Sequence, residues 1–347
     1  MINFANAELG EIAIHKVGNK HRATRNFISP ALYDLNEATR ELLHNFFIKP
    51  LKRQVDNLHR FTHAEEVNLN ELYNFSRSIF TDRDTLLTES VNILEHLYRQ
   101  SSHPSIKTGE VYIVFIDGIV VLDEVVSAIG IFKTEEKSLF FQVQPDGDML
   151  TLKKQKGVNI NKLDKGALIL NTSMDDGYRV LHVDNNQYDA AYWYHNFLGI
   201  DFVKNENFHT RNYLQLCNGF SEEVVGATTD RGEQIKFLSN SVDYFTSNEV
   251  FDLEDFTKTV IPEPETAREF QAYHETYLPE KTNGFNISKS ATKSASRAFK
   301  STIKLDTGIQ IKLDVFNPES SRQFIERYYD EDKGMYCYKI FFNEELP

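Results

Sequence analysis

Cysteine is scarce in this chain. Cys217 and Cys337 are the two present, and neither has the paired spacing of a zinc site or a disulfide framework, so both are expected as reduced thiols. Long apolar runs are also few. The longest, VYIVFIDGIVVL, is broken by Asp117 and Gly118. The opening residues MINFANAELGE carry neither the basic leader nor the apolar core of a signal peptide, so a soluble cytoplasmic protein without membrane association is expected. The chain has no G-x-x-x-x-G-K-[ST] loop, no G-x-G-x-x-G after a strand, no G-x-S-x-G elbow and no H-E-x-x-H pair. Nucleotide-dependent and zinc-hydrolase chemistry thereby lose their usual support. A metal-dependent nuclease needs clustered carboxylates beside a lysine. Pro145-Asp146 and Glu331-Asp332-Lys333 offer those residue types far apart in the chain, and Pro-Asp-Gly reads first as a turn. No enzymatic activity, no cofactor and no metal site are expected.

What is present is globular: 347 residues, 41% hydrophobic and 12% aromatic, enough for two domains with buried cores. Helical spacing recurs at Ala38, Leu42, Leu43, Phe46 and Phe47, over Leu69 to Phe80 with Asn68 or Asn70 as caps, and at Leu87, Val91, Leu94 and Leu97. The texture then changes to β-branched and aromatic residues, with Asp117-Gly118 predicting a hairpin turn between two strands. Further strands are expected at Leu139 to Val143, in GALILN and in YRVLHVD. After Asn186 the helical pattern returns, and the chain closes on two alternating segments, GIQIKLDVF and MYCYKIFFN, expected to pair. The predicted class is α+β: N-terminal helices with a central, largely antiparallel sheet, then a mostly helical region ending in a small β-hairpin. The expected domains are residues 1–205 and 206–347. His15, His182 and His195 have apolar or aromatic neighbours and read as core or half-buried histidines. The aromatic cluster YWYHNF reads as core before it reads as a base-stacking surface.

Charge is the informative feature. The formal net charge is -13, which argues against a uniformly phosphate-binding surface. Its distribution is uneven, however: Ser221 to Glu280 holds 14 acids and 4 bases, net -10, and Lys281 to Lys312 holds 7 bases and 1 acid, net +6. Salt screens charges beyond about 8 Å at physiological ionic strength, so a local basic patch can act on an acidic molecule. The first such patch is SKSATKSASRAFKSTIK, Ser288 to Lys304, with no acid. As a helix it would set Lys289, Lys293, Arg297 and Lys300 within an arc of about 80°, opposite Ile287, Ala291, Ala295 and Ala298, with Ser and Thr hydroxyls free to bond phosphates. A solvated helix face, or neutralisation by the neighbouring acidic segment, is the competing reading. The second patch, HKVGNKHRATR, places Lys16, Lys20, Arg22 and Arg25 around a Gly18-Asn19 turn. Like charges would then face each other across a hairpin, a cost that a bound anion relieves. The third, LKKQKG, gathers Lys153, Lys154 and Lys156 and is weak alone.

IAIHKVGNK, NELYNFSRSIF, SVNILEHLYRQSSHPSIKTGEVYIV, GALILN, NFLGI and TGIQIKLDVF, in this order along nearly the whole chain, resemble the bacterial nucleoid-associated protein family typified by NdpA. The resemblance implies a cytoplasmic protein found with the nucleoid and binding double-stranded DNA; it carries over no catalytic residue. IHKVGNK matches at Ile14 to Lys20, in support of basic side chains there. The helix YDAAYWYHNFLGI lacks the basic residues that precede Phe-Leu-Gly in proteobacterial members, which shifts weight to the Ser/Lys strip. The expected partners are double-stranded DNA, bound with little sequence preference, and a second copy of the chain in a homodimer. The alternative function is an adaptor whose acidic 221–280 segment docks a DNA-handling protein.

Overall fold

A computed structural model describes the chain apart from residues 1, 187–190, 227–230, 279–281, 283, 297–300, 305, 314–324, 343 and 345–347. It divides into two compact units, Met1–Val203 and Lys204–Pro347.

The first unit is built on an antiparallel sheet of β1 (Ile2–Asn3), β2 (Glu8–Val17), β3 (His59–Phe61), β4 (Gly109–Val121), β5 (Glu124–Thr134), β8 (Lys165–Leu170), β9 (Arg179–Asp184) and β10 (Ile200–Phe202). The order is β1-β4-β5-β8-β9-β3-β10, with β2 also paired to β4. Between β5 and β8 the chain runs out and back as a separate ribbon, β6 (Lys137–Asp146) and β7 (Met149–Val158). The central strands read as continuous apolar runs because both sheet faces are covered. Val111, Ile113, Ile129, Ile131, Ala167 and Ile169 face one core, beneath helices α2 (Glu71–Thr81) and α3 (Leu86–Gln100) and the π-helical segment Ala191–Leu198. The alternate residues Tyr112, Val114, Phe132, Leu168 and Leu170 face a second core, closed by Phe46, Phe47, Ile48 and Leu51 of α1 (Glu37–Leu51). The Phe47 and Phe132 rings stack there at 4.1 Å. Asn36 and Asn70 cap α1 and α2 by accepting from the backbone N–H groups of Thr39 and Tyr73.

The hairpin expected at Asp117-Gly118 is displaced. β4 continues through these residues with a register shift between Ile116 and Ile119, a bulge, and the turn into β5 falls at Leu122 and Asp123, both at positive φ. Gly118 is needed for a different reason: at φ +76 its backbone lies so close to β1's neighbour Asn6 that a Cβ would meet the Asn6 carbonyl oxygen at 2.0 Å.

The second unit packs α4 (Glu206–Phe220), α5 (Arg231–Ser247), α6 (Leu253–Val260), α7 (Pro264–Tyr277) and α8 (Lys289–Ser296) around an aromatic core. Phe251 lies 4.8 Å from Phe285 and 5.3 Å from Phe245, on the short pair β11 (Val250–Asp252) and β12 (Gly284–Asn286). Two hairpins follow, β13 (Ser301–Lys304) with β14 (Gln310–Leu313), and β15 (Ile325–Asp330) with β16 (Met335–Ile340). The two closing alternating segments therefore pair with separate local partners, not with each other. Short loops make those local pairings the cheaper ones in entropy. The α+β class, with helices before a central antiparallel sheet and a terminal hairpin, is the architecture predicted from the sequence.

Candidate nucleic-acid interface

The basic segment after β2 is held in place by a buried asparagine. Asn19, fully buried, donates from Nδ2 to the carbonyls of His103 at 3.0 Å and Ile106 at 2.7 Å, and its Oδ1 accepts from the Arg22 backbone N–H at 2.9 Å. Its backbone N–H donates to Thr24 Oγ1 at 2.6 Å, and the Thr24 N–H returns a bond to the Asn19 carbonyl. Lys16 and Phe27 exchange both backbone bonds, at 2.9 and 2.8 Å. The segment is thus a hairpin, but a wider one than the expected turn at Gly18-Asn19. Its tip is Lys20–Ala23, with Ala23 at φ +53, and Lys16 faces Phe27, so the like-charge pairing expected across the hairpin does not occur there. The reason is local: a Cβ on Gly18 would meet the Thr24 carbonyl oxygen at 2.0 Å, so Gly18 lets the two arms close together, and Asn19 satisfies the turn from inside.

This arrangement turns the cations outward. Lys16, Lys20, Arg22 and Arg25 are all exposed, and none has a carboxylate in ion-pair distance among the described residues. Arg22 donates to the carbonyl oxygen of Pro104 at 2.7 Å, which fixes the guanidinium without neutralising it. Lys16 stands opposite Glu110 of β4, whose carboxylate is already engaged by Lys137 and by Thr134 Oγ1. Beneath the hairpin His15 is buried and satisfied, Nε2 against Ser90 Oγ at 2.9 Å and Nδ1 accepting from Ser29 N–H at 3.1 Å. Burial lowers its pKa, so it is neutral structure and adds no charge to the patch.

In the second unit the strip is helical from Lys289 to Ser296. Lys289 and Lys293 are exposed and lack a carboxylate partner among the described residues, whereas Ile287 and Ala291 are buried. Arg297 and Lys300 lie outside the described residues; β13 begins at Ser301. The hydroxyls expected to reach phosphate are partly committed elsewhere. Ser288 accepts from the Ala291 N–H as a cap and bonds Asn207, Ser290 Oγ donates to Asn207 Oδ1 at 3.0 Å, and Thr292 Oγ1 donates to the Ser288 carbonyl at 2.9 Å. The bonds to Asn207 fasten α8 to α4, and those of Ala291 and Thr292 close the first turn of α8 on Ser288. The lysines of LKKQKG alternate along β7, and their cross-strand partners Gln142, Phe141 and Leu139 show the result: Lys153 is on one face of the ribbon, Lys154 and Lys156 on the other.

Sequence reasoning missed a buried charge network at the ends of β5 and β8. Lys133 Nζ, fully buried, donates to Glu135 at 2.6 Å, to the Lys107 carbonyl at 2.8 Å and to the Tyr192 hydroxyl at 3.3 Å. Asp164 accepts from the N–H groups of Glu135 and Glu136 and from Asn186 Nδ2, and Lys165 pairs with Asp184 at 2.6 Å. Burial works against the Lys133 ammonium, but Tyr192 and Glu135 outweigh it and hold its pKa above the usual lysine value. Both buried lysines have a carboxylate partner and Asp164 is held by N–H donors, so the network is cohesion for the fold. Tyr192, Trp193 and Phe197 of the aromatic cluster are likewise core, with His195 exposed. Both cysteines are free, and burial pushes the Cys217 thiol up to about 12. Asp146 and Glu331-Asp332-Lys333 occupy exposed hairpin turns. Among the described residues no helix is long and apolar enough to cross a membrane, and no cluster of three or more His, Cys, Asp or Glu side chains could hold a metal ion.

No curated protein matches the chain. The family described as nucleoid-associated protein YejK matches residues 13–331, a span that takes in both basic segments. The chain belongs to this nucleoid-associated protein family.

Proposed function

We propose that the protein is a non-enzymatic component of the cytoplasmic nucleoid that binds double-stranded DNA with little sequence preference. The contacts are the hairpin cations Lys16, Lys20, Arg22 and Arg25 in the first unit and Lys289 and Lys293 of α8 in the second. Family membership supports the association with the nucleoid. The observation that carries the DNA reading is that these six cations are exposed without a neutralising carboxylate among the described residues, in a molecule whose other bases are often clasped by acids. Both elements offer backbone-phosphate contacts and no built surface for reading base edges, hence the weak sequence preference. Neutralising four to six phosphates gives a log-log salt slope of about -4 to -5. Titration of the purified chain into duplex DNA across a salt series tests this. Absence of binding at low salt, or unchanged affinity after Lys16, Lys20, Arg22, Arg25, Lys289 and Lys293 are all replaced by glutamate, rejects it.

A second reading, the adaptor, draws support from a cavity of about 160 Å³ in the acidic segment, lined by Val225, Phe237 and Val260 together with Glu263, Glu269 and the Glu233–Lys236 pair. Apolar side chains beside two further carboxylates suit the stem and head of a lysine or arginine side chain on a DNA-handling protein. Partners that remain bound after exhaustive nuclease treatment of an extract, and leave on Glu263→Lys with Glu269→Lys, favour this reading over DNA-mediated association.

A further inference from the structure

The hairpin after β2 carries a side chain that phosphate contacts do not use. Lys16 and Phe27 exchange both backbone bonds, and the Asn19–Thr24 bridge continues the same register. Directly opposed residues of an antiparallel pair share a face, and alternation puts Arg25 on that face as well. Asn26 is directed to the other side, where its Nδ2 donates to Glu95 of α3 at 3.0 Å. Phe27 is 67% exposed, and its ring meets no other aromatic ring among the described residues. The carboxylates that adjoin the hairpin are committed elsewhere: Glu95 to Asn26, and Glu110, opposite Lys16 on β4, to Lys137 and Thr134. A single exposed phenylalanine is ordinary. What distinguishes this one is its company of bases, Lys16 across the hairpin, Arg25 two residues away and Arg22 held on the Pro104 carbonyl. Tyr33, farther along the same segment and 46% exposed, has Asp34 as its neighbour instead.

We infer that Phe27 is a stacking platform for an unpaired base, so that the hairpin prefers locally opened DNA to intact duplex. This rests on the DNA reading above and adds to it the structural state of the DNA. Chemistry selects the occupant: it brings anionic groups to the cations and a flat apolar face to the ring. A nucleotide whose base has left the stack offers both at once. In a closed duplex the base faces are covered by their neighbours, so the cations are served and the ring is not. Stacking on an aromatic side chain accepts any base, in keeping with weak sequence preference, and a backbone-tracking basic surface with a stacking ring is the usual means of holding unpaired strands. The hairpin's anchorage through Asn19 and the Lys16–Phe27 bonds holds the backbone at Phe27 in place before the DNA arrives.

The test is an anisotropy titration of the full chain at low salt with two labelled probes, a duplex and the same duplex carrying a central bubble of mismatched bases. The native chain is expected to bind the bubble about tenfold more tightly. Phe27→Ala should remove that advantage while duplex affinity holds within about twofold, and Phe27→Tyr, which keeps a ring, should retain it. Circular dichroism verifies folding of each variant. Phe27→Trp gives a second readout that does not depend on affinity. Trp193, the one tryptophan of the chain, is buried, so quenching of the new indole by the bubble and not by the duplex reports stacking at this position. Equal binding of both probes by the native chain, a bubble advantage that survives Phe27→Ala, or an indole indifferent to the bubble would each overturn the inference while leaving duplex binding intact. Absence of binding to either probe would overturn it together with the DNA reading on which it rests.

Discussion

Lys133 and Lys20 belong to the same unit and carry the same charge in different surroundings. Lys133 is closed off from water and is held by Glu135, the Lys107 carbonyl and Tyr192. Lys20 stands exposed at the tip of a hairpin with no carboxylate beside it among the described residues. The first is fixed by partners and serves cohesion; the second is fixed only through its backbone and is available to a polyanion. A formal charge of -13 counts both alike. Whether a base is available depends on pairing, which is why an acidic protein can present cationic surfaces.

The comparison is broken most strongly from the buried side. Lys133→Met leaves Glu135 buried without its counter-charge, and removing one partner of such a pair costs about 3–5 kcal/mol. Urea unfolding reads this as a lowered midpoint, while the duplex affinity of the folded protein holds within about twofold. The mirror experiment reverses Lys16, Lys20, Arg22 and Arg25 to glutamate. Duplex affinity at low salt is expected to fall about a hundredfold, near 2.7 kcal/mol, with the salt slope shallower by roughly 0.9 for each phosphate no longer neutralised. Stability should move by less than about 0.5 kcal/mol. If the reversal destabilised the fold as much as the Lys133 change, the distinction between the two kinds of lysine would collapse. A smaller effect sharpens it: Asn19→Ala removes the donor to the His103 and Ile106 carbonyls and should cost about 1–3 kcal/mol. Since every cation is retained, any accompanying loss of DNA affinity measures how much the hairpin's shape contributes.

Much of the fold was legible because its determinants are local. The cap Asn70, the apolar spacing of α1 to α3 and the central strands β4, β8 and β9 follow from residue type and periodicity within a few residues. The misplaced features depend on partners distant in sequence. Asp117-Gly118 is a bulge because the chain near Asn6 crowds it, and the buried network forms because the fold brings Asp164 and Asn186 to Glu135 and Asp184 to Lys165. The candidate cations are surface residues named by composition alone, so the sequence could list Lys16, Lys20, Arg22, Arg25, Lys289 and Lys293. Their exposure, and the diversion of the Ser288 and Ser290 hydroxyls into fastening α8, depended on Thr24, Pro104 and Asn207.

The same contrast between buried and exposed ionisable groups predicts a modest pH dependence. His182 on β9 packs its ring 4.6 Å from that of His59, and burial, opposed weakly by Asp184, pushes its pKa down from 6.5 to about 4. In the unfolded chain it protonates near 6.5, in the folded protein only near 4, so between these values the unfolded state binds the extra proton. Its contribution is therefore complete above about pH 6.5, declines as the pH falls toward 4 and changes no further below that. His15, His44 and His274 are lowered by burial as well and act in the same direction. The ion-paired Glu136 belongs to a separate window: hydrogen bonds from Lys107 and Lys162 hold its carboxyl at about 2, against an ordinary 4.5, so its contribution is lost only as the pH falls through that lower range. Thermal unfolding midpoints of the native chain should accordingly decline between pH 6.5 and 4. His182→Gln, which cannot titrate, should show a shallower decline over that interval and an unaltered one below it. Reversing the exposed hairpin cations should leave the shape of this profile unchanged; an equal change in slope from either substitution would mean that the buried ring is not the group being titrated.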